Sequence, residues 1–376
     1  MFHFLWDYVV VFLIILTVVV FVHEMGHFLV ARWNGVRVEV FSIGFGPELF
    51  GYTSKSGTRW KVCLLPFGGY VKMFGDADAA SSPDLRVEFS AEERRVAFQC
   101  KKVYQRAAIV VAGPLANFVF GVVALAAIFA IYGEPVTEPV VGQVQPDSAA
   151  AVAGMQPGDR VVEANGETVD RFQDLQRIIR MTVGEPVTIV VERGTQRLSM
   201  VAQPRITEVK DALGNTHKTP VLGIVANPEA TRVVRHDPAT ALLGAARETA
   251  SMVTTTLTGL GQMLSGQRGT EELSGPIGIA KTAGEAAQFG IEAIISLTIM
   301  LSINLGLINL FPVPLLDGGH LLFYALEALR GRPLGARAQE YGFRIGLFLV
   351  FALMLLATRN DLVRLPVWRF IKGLMS

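Results

Sequence analysis

The sequence predicts a polytopic α-helical membrane protein with about four spans, a β-hairpin on the cytoplasmic side and one compact α+β domain on the opposite side. Composition is the first reason, because 51% of the 376 residues are hydrophobic and only 18% are charged, whereas soluble proteins average about 25% charged residues. The second reason is that charged residues are missing from four stretches, 8–22, 107–133, 293–316 and 345–358. The third is the segment between the second and third stretches, where short alternating runs and turn residues indicate strands.

The composition also excludes several classes of protein. The net charge of +1 provides no large field for attracting a polyanion, so no nucleic-acid partner is expected. The two cysteines, Cys63 and Cys100, are too few for a disulfide framework or a cysteine-rich zinc module. The deficit of charge argues against a disordered chain and against an ordinary cytosolic enzyme.

The charge-free stretches differ in how directly they predict a membrane span, which needs about 20 apolar residues. Stretches 107–133 and 293–316 hold 27 and 24 residues and are long enough by themselves. The first stretch spans only if its helix continues through His23, Glu24 and His27. The fourth has 14 residues and needs the residues that precede it to complete a span.

Lysine and arginine residues near the span ends predict the orientation of the chain. The segment between the first two spans is basic at both ends, which predicts that it is cytoplasmic and that the N-terminus is outside. The long segment 134–290 is then extracytoplasmic. One conflict remains, because the C-terminal tail is basic although four spans would leave it outside. The basic residues of that tail are Arg359, Arg364, Arg369 and Lys372.

The cytoplasmic segment begins with the pattern of a β-hairpin. Residues 36–41 and 60–65 alternate between apolar and polar side chains, and glycines and aromatic residues follow each run. Their closeness to a span favours a hairpin that dips toward the membrane, although a plain cytosolic hairpin fits the same pattern. The polar residues 76–93 predict a mobile linker.

The outer segment begins with a compact module at 137–205. Its Asn165-Gly166 pair is the strongest short hairpin signal, and apolar residues at helical spacing predict a helix at 172–180. With the glycine-rich turn at 154–159, this order of elements resembles a bacterial PDZ domain. The resemblance implies a groove that accepts an extended peptide beside a strand, whereas a PDZ shell without peptide binding is the alternative. The predicted peptide-binding strand consists of Val140, Val141, Gly142, Gln143 and Val144.

His23, Glu24 and His27 form the pattern His-Glu-x-x-His. On a helix, residues four apart lie on one face, so both imidazoles can reach one metal ion while Glu24 projects beside the open coordination position. A general base must stand at that place to take a proton from an attacking water. A chance match on an amphipathic helix is the alternative, but three ionisable residues inside a span are costly and by default indicate a functional site.

Two histidines leave a catalytic zinc site one protein ligand short. Asp317 is the only acidic residue that closes another hydrophobic span, and Pro312 and Pro314 before it are expected to break the helix and let the carboxylate turn into a cavity. We also predict that these two prolines contribute to substrate binding. The four-span topology brings Asp317 to the same side as His23 and His27, whereas a helix-ending turn at the membrane surface is the alternative reading.

Together these motifs resemble the site-2 protease family, and most closely the bacterial regulator-of-sigma-E proteases, in a form with a single PDZ domain. The resemblance covers essentially the entire chain. The segments that carry it are 23–27, 41–47, 65–73, 113–117, 274–278 and 309–319.

The resemblance implies an intramembrane zinc metalloprotease. Its cofactor would be Zn²⁺ held by His23, His27 and Asp317, with Glu24 as the general base and Asn309 holding the substrate or the oxyanion. Its substrates would be single-span membrane proteins, such as anti-sigma factors or signal-peptide remnants, cut in regulated intramembrane proteolysis. The protein would lie in the lipid bilayer of the bacterial inner membrane, and the PDZ domain outside would contact a substrate or a regulator.

Two other functions fit parts of the pattern, namely a PDZ-bearing membrane scaffold with a structural metal site and a transporter. Retention of Glu24 argues against the first, and the lack of an inverted repeat argues against the second. His320 follows the ligand motif, but three protein ligands and a water already complete a catalytic site. The predicted segments are the first span (1–35), the membrane-reentrant β-hairpin (36–75), a cytoplasmic linker (76–106), the second span (107–133), the PDZ domain (137–205), an outer strand and helix segment (206–288), the third span with the aspartate motif (289–320), the fourth span (341–358) and the tail (359–376).

Overall fold

The computed structural model describes residues 5–76, 89–182, 184–210, 216–267, 269–270 and 273–364. These residues divide into two compact units, which fall within the ranges Met1–Ala124 with Leu273–Ser376 and Leu125–Glu272. Most of the predicted linker 76–93 and of the tail 359–376 lies outside the described residues.

The elements follow one another in a simple order along the chain. After the π-helical turn Leu5–Val10 come α1 (Val11–Trp33), β1 (Val38–Thr53), β2 (Arg59–Met73), α2 (Ala91–Val96) and α3 (Val103–Ile131). The middle of the chain forms β3 (Glu134–Thr137), β4 (Val141–Val144), α4 (Ala149–Val152), β5 (Arg160–Ala164), β6 (Glu167–Thr168), α5 (Phe172–Met181), β7 (Val187–Arg193), β8 (Gln196–Ala202), β9 (Arg205–Lys210), β10 (Thr216–Val221), β11 (Ile224–Ala226) and β12 (Thr231–Val234). The last helices are α6 (Pro238–Leu264), α7 (Pro276–Gln288), α8 (Ile291–Asn309), α9 (Asp317–Arg330) and α10 (Ala336–Arg364).

Four helices among the described residues, α1, α3, α8 and α10, are long and apolar enough to cross a membrane. This confirms the four predicted spans as helices. The third is shorter than predicted, because α8 ends at Asn309 and a separate helix begins at Asp317. The interruption contains Pro312 and Pro314, whose rings cannot continue a helix.

Small residues bring α1, α3 and α8 close together. A Cβ atom on Gly26 of α1 would lie 2.2 Å from the Ala112 carbonyl oxygen of α3, and one on Gly306 of α8 would lie 2.9 Å from the Pro114 carbonyl oxygen. Only glycine permits these approaches, which is the usual way membrane helices gain packing contacts. The result is a tight three-helix core in which side chains of all three helices can meet.

Both ends of the described chain contact α7. Near the N-terminus, the Tyr8 ring packs against Gly284, where a Cβ would lie 2.4 Å from it. Near the end of α10, the Asp361 carboxylate accepts hydrogen bonds from the backbone N–H groups of Gly275 and Gly278, at 3.0 and 2.9 Å. The start of the first span and the end of the fourth therefore lie at the same end of the helix bundle, as an even number of spans requires.

The segment predicted to be a hairpin forms a curled antiparallel pair, β1 and β2. Residues 38–43 of β1 lie between residues 69–73 and residues 59–62 of β2, so 69–73 forms one edge of the sheet. The sheet packs against α1 through aromatic rings, with Phe41 stacked on Trp60 at 4.5 Å and Phe28 of α1 set edge-on to Trp60 at 5.0 Å. This packing fixes the sheet beside the His-Glu-x-x-His segment.

The second unit contains the module that resembles a PDZ domain. Strands β6, β5, β7 and β8 form a four-stranded sheet in that order, and α5 packs on the core with Phe172, Leu175, Ile178 and Ile179 buried. Asn165 and Gly166 both have positive φ, as the predicted Asn-Gly hairpin turn requires. The module extends beyond residue 205, because β11 pairs with β4 and β12 pairs with β3.

That pairing corrects the expectation for Val140, Val141, Gly142, Gln143 and Val144. One edge of β4 is already occupied by β11, with Val144 opposite Ile224. On its other side, the Val141 carbonyl accepts a hydrogen bond from Gly158 and its N–H donates to Asp159. The expectation that 140–144 offers a free edge to a peptide is therefore wrong, because a strand about 80 residues downstream returns to pair with it.

Candidate active site

The first two residues of the site come from one face of α1. His23 and His27 are 7% and 8% exposed, and their Nε2 atoms lie 3.2 Å apart. Their four-residue spacing brings the rings to the same side of the helix, one turn apart. Apart from Glu24, the residues of α1 near the two imidazoles are apolar or glycine, so their burial requires partners from other elements.

The third residue, Asp317, opens α9 immediately after the break that follows α8. The chain reaches it through Leu315, a non-glycine residue with a φ of 101°, a conformation that costs energy and tends to occur at functional sites. The turn brings the Asp317 Oδ2 atom to 3.1 Å from His23 Nε2 and 3.4 Å from His27 Nε2. The structure thus brings together the three residues that the sequence predicts as metal ligands.

Hydrogen bonding around the histidines shows which atoms face each other. His27 Nδ1 donates to the Ile109 carbonyl oxygen of α3 at 2.9 Å, so the Nε2 atom of a neutral His27 presents a lone pair. The Asp317 Oδ2 atom is buried and receives no hydrogen bond from the described residues. Lone pairs that converge on one point repel each other unless a proton or a metal ion lies between them.

The spacing of the three atoms fits a tetrahedral ion. Ligand atoms at about 2.0–2.1 Å from a zinc ion lie about 3.3–3.4 Å from one another. The three separations observed here are 3.1, 3.2 and 3.4 Å. Two histidines and one carboxylate are also a donor set that zinc accepts while leaving a fourth position open. These residues therefore fit a catalytic zinc site.

Glu24 lies beside the three ligand atoms and contacts the β-sheet. Val71, on the edge segment 69–73 of β2, lines the same cavity as Glu24. The sheet edge therefore runs directly past the site. Glycine at position 69 is needed for that approach, because a Cβ there would lie 3.1 Å from Val20 and 3.4 Å from Glu24.

A cavity of about 290 Å³ opens at the ligand atoms. Its wall is formed by α1, by the edge of the sheet and by the region between α8 and α9. Asn309, at the end of α8, lines it together with Leu315, Leu316 and His320. The cavity therefore combines a metal-binding corner, an acidic group, a carboxamide and a strand edge.

Pro312 and Pro314 do not line this cavity. Pro312 is exposed, and Pro314 packs against α10, where a Cβ on Gly346 would overlap the Pro314 carbonyl oxygen. Their contribution is to interrupt the helix before Asp317, which the sequence also predicted. Their contribution to substrate binding stays a prediction, while Leu315 and Leu316, between Pro314 and Asp317, line the cavity itself.

Some residues that shape the site could not be identified from the sequence patterns. Ile109 contributes only a backbone group, which leaves no signature in side-chain patterns. Gly113 touches His27 directly, since a Cβ on it would lie 2.3 Å from His27 Nε2. The signal that could have identified it is its place in the segment 113–117, which is one of the segments that carry the family resemblance.

Comparison with known proteins agrees with this geometry. Residues 11–353 match the protein family described as peptidase family M50. A protein of Agrobacterium fabrum, provisionally named a zinc metalloprotease, is 47% identical over 363 residues, which cover 96% of each chain. Metalloprotease MmpA of Caulobacter vibrioides is 39% identical over 97% of each chain, and protease RseP of Yersinia pestis is 33% identical over 96% of this chain and 99% of its own.

The chain belongs to peptidase family M50. This confirms the resemblance to site-2 proteases, and the protein is a membrane zinc metalloprotease. The scaffold and transporter alternatives are thereby set aside. Among solved structures, the PDZ domain of an SdrC-like protein of Listeria monocytogenes matches 24% of this M50 chain and 87% of its own, at 24% identity and a TM-score of 0.20.

Proposed function

We propose that this M50 protease cleaves peptide bonds within or beside the transmembrane segments of single-span membrane proteins. The observation that carries the proposal is that His23, His27 and Asp317 converge on one point next to Glu24. The two histidines and Glu24 lie on α1, a helix apolar enough to span a bilayer. Ionisable residues at such a place are costly unless they serve a function. In this proposal the first three residues hold Zn²⁺ and the fourth is the general base.

The chemistry is divided between the metal and the chain. Bound zinc supplies Lewis acidity, which activates a water and polarises the scissile carbonyl. Glu24 takes the proton of the attacking water and returns it to the leaving nitrogen. Asn309, in the cavity wall, donates a hydrogen bond to the carbonyl oxygen as it becomes negative.

The substrate segment is presented in extended form. A helical segment hides its carbonyl groups in internal hydrogen bonds, so it must unwind before it can be cut. Residues 69–73 form the edge of the sheet that lies next to Glu24, the proposed general base. A strand edge can hold an extended peptide through backbone pairing. In this proposal, pairing at Gly69 and Val71 brings the substrate backbone beside Glu24, which lines the same cavity.

The placement in the cell follows from charge and composition. We propose that the protein lies in the bacterial inner membrane, with the β1–β2 sheet on the cytoplasmic side and the PDZ-like module outside. The basic residues flanking the segment between α1 and α3 support this orientation. The exposed side chains at the sheet tip, among them Leu49, Phe50 and Leu65, favour contact of the sheet with lipid.

The module outside is proposed to contact a substrate or a regulator. Since β11 covers β4, the strand that could accept a peptide moves from 140–144 to β11. Within the described residues, the backbone hydrogen bonds of β11 run to β4 alone, and Val225 is 44% exposed. An extended peptide can pair with such an edge.

The test uses purified protein in proteoliposomes with a single-span reporter and, in parallel, a soluble unfolded polypeptide. We expect wild-type protein to cut the reporter inside or next to its span and to leave the soluble polypeptide intact. Glu24→Gln should keep zinc and lose cleavage, while Glu292→Gln, a matched change at an exposed position of α8, should keep both. Turnover by the Glu24 variant would refute the general base, and preferential cleavage of the soluble polypeptide would refute the intramembrane substrate.

A further inference from the structure

Asn117 of α3 is fully buried next to the metal site, although it is not one of the proposed ligands. It is 0% exposed, and its side-chain amide lies 3.2 Å from His23 Nδ1, the ring atom that points away from Asp317. Its Oδ1 atom is buried without a hydrogen-bond partner among the described residues. A buried carboxamide oxygen in that state is costly and calls for a donor.

The identity of the donor follows from what His23 must do. To bind a metal through Nε2, a neutral imidazole must carry its proton on Nδ1. If Asn117 presented its NH₂ group, Nδ1 would be the acceptor and the ring proton would sit on Nε2, directed at Asp317. The oxygen and nitrogen of a carboxamide exchange places on a half-turn of the side chain. In the turned orientation, the partnerless oxygen accepts the Nδ1 proton.

Two further contacts hold Asn117 at this place. The buried Ser302 of α8 donates to the Asn117 backbone carbonyl at 3.3 Å. Gly306, one turn further along α8, packs so closely that a Cβ on it would lie 3.2 Å from the Asn117 Cβ. The side chain is therefore enclosed between α1 and α8, and its direction toward His23 is set by packing.

We propose that Asn117 is a positioning residue that fixes the tautomer and orientation of His23 by accepting its Nδ1 proton. The same arrangement holds His27, whose Nδ1 donates to the Ile109 carbonyl on the same helix. The proposal rests on the assignment of His23 as a zinc ligand. Loss of such an outer partner typically lowers metal affinity about 10–100-fold.

The test is zinc affinity of the full-length protein in detergent, measured by competition with a chelating dye after the metal has been removed. Asn117→Leu keeps the volume and removes the acceptor, and we expect it to bind zinc about 10–100-fold more weakly. Asn117→Asp keeps an acceptor oxygen, and we expect it to stay within a few-fold of wild type. Asn360→Leu is the matched control: Asn360 is also a buried asparagine, 7% exposed, but lies at the end of α10, so its loss should leave zinc affinity unchanged.

The outcomes separate this proposal from the assignment on which it rests. If His23→Ala binds zinc as wild type does, the ligand assignment is wrong and the proposal falls with it. If His23→Ala loses zinc but Asn117→Leu does not, or the Leu and Asp variants lose it equally, only the positioning role is overturned. Should Asn117→Leu fail to fold, nitrogen NMR of the zinc-free wild type gives the answer: a His23 proton on Nδ1 supports the proposal, and one on Nε2 refutes it.

Discussion

The most direct prediction concerns Gly113, which has no functional group but lies against a proposed ligand. A Cβ at this position would lie 2.3, 2.5 and 2.9 Å from the Nε2, Cε1 and Cδ2 atoms of His27. Ordinary carbon contacts are about 3.5–4.0 Å, so Gly113→Ala must displace the imidazole by about 1 Å. Zinc–nitrogen bonds tolerate about 0.2 Å. We therefore expect Gly113→Ala to lose bound zinc and proteolysis together.

The assay is zinc content by mass spectrometry, with cleavage of the membrane reporter measured on the same preparation. Gly121→Ala is the matched control, because it also lies in α3 but its Cβ would meet the flexible side chain of Ile303, at 2.8 Å, and no histidine. Both changes raise helix propensity by up to about 1 kcal/mol, so loss of helix structure does not explain a difference between them. A Gly113→Ala protein with full zinc and full activity would refute the proposed position of His27.

Three further predictions concern stability. Arg106 pairs with Glu327 at 2.6 Å, and both side chains are little exposed. Replacing either residue alone by Ala should destabilise the protein by about 3–5 kcal/mol in unfolding experiments, and the double variant should lose much less than the sum of the two. Additive losses would contradict this. Asp361→Ala removes two charge-assisted hydrogen bonds, of about 1.5–3 kcal/mol each, to backbone N–H groups at the start of α7. We therefore expect a lower temperature of thermal unfolding, and an unchanged one would count against this role of Asp361. Burial alone would raise the pKa of Asp159, but hydrogen bonds from Arg193 and a backbone amide hold that pKa below its ordinary value. The carboxylate therefore stabilises the fold fully above about pH 4, and this stabilisation is lost as the pH falls further. In hydrogen exchange, Asp159→Asn should lose less protection in acid than wild type, and an equal loss would disprove this role.

The chemistry of this site could be predicted from the sequence because it depends on side chains with few alternative explanations. His23, Glu24 and His27 are four-residue neighbours on an apolar helix, where charge is costly without a function. Asp317 closes a second apolar run behind two prolines, and the parallel direction of α1 and α8 follows from counting spans. Periodicity and charge placement are therefore enough to find the proposed ligands.

The features of the fold and site that the sequence did not predict depend on pairings between distant parts of the chain, which local patterns do not encode. Strand β11 lies about 80 residues after β4, and three apolar residues of β11 could pair with several partners. The hydrogen bond from His27 to the Ile109 carbonyl uses a backbone group, for which every residue type is equivalent. The turn at Leu315 adopts a φ that its residue type disfavours, so propensity predicts against it.

Helix α3 shows how a helix without proposed ligands can determine the metal site. Ile109, Gly113 and Asn117 are each four residues apart and lie on one face of it. The first supplies an acceptor for His27, the second leaves the space that the His27 ring occupies, and the third contacts His23. Because the two histidines lie one turn apart on α1, acceptors two turns apart on α3 meet the outer nitrogens of both rings only if the helices cross closely, which Gly26 allows. Any change that separates α1 from α3 should therefore weaken zinc binding before it disturbs the ligands themselves.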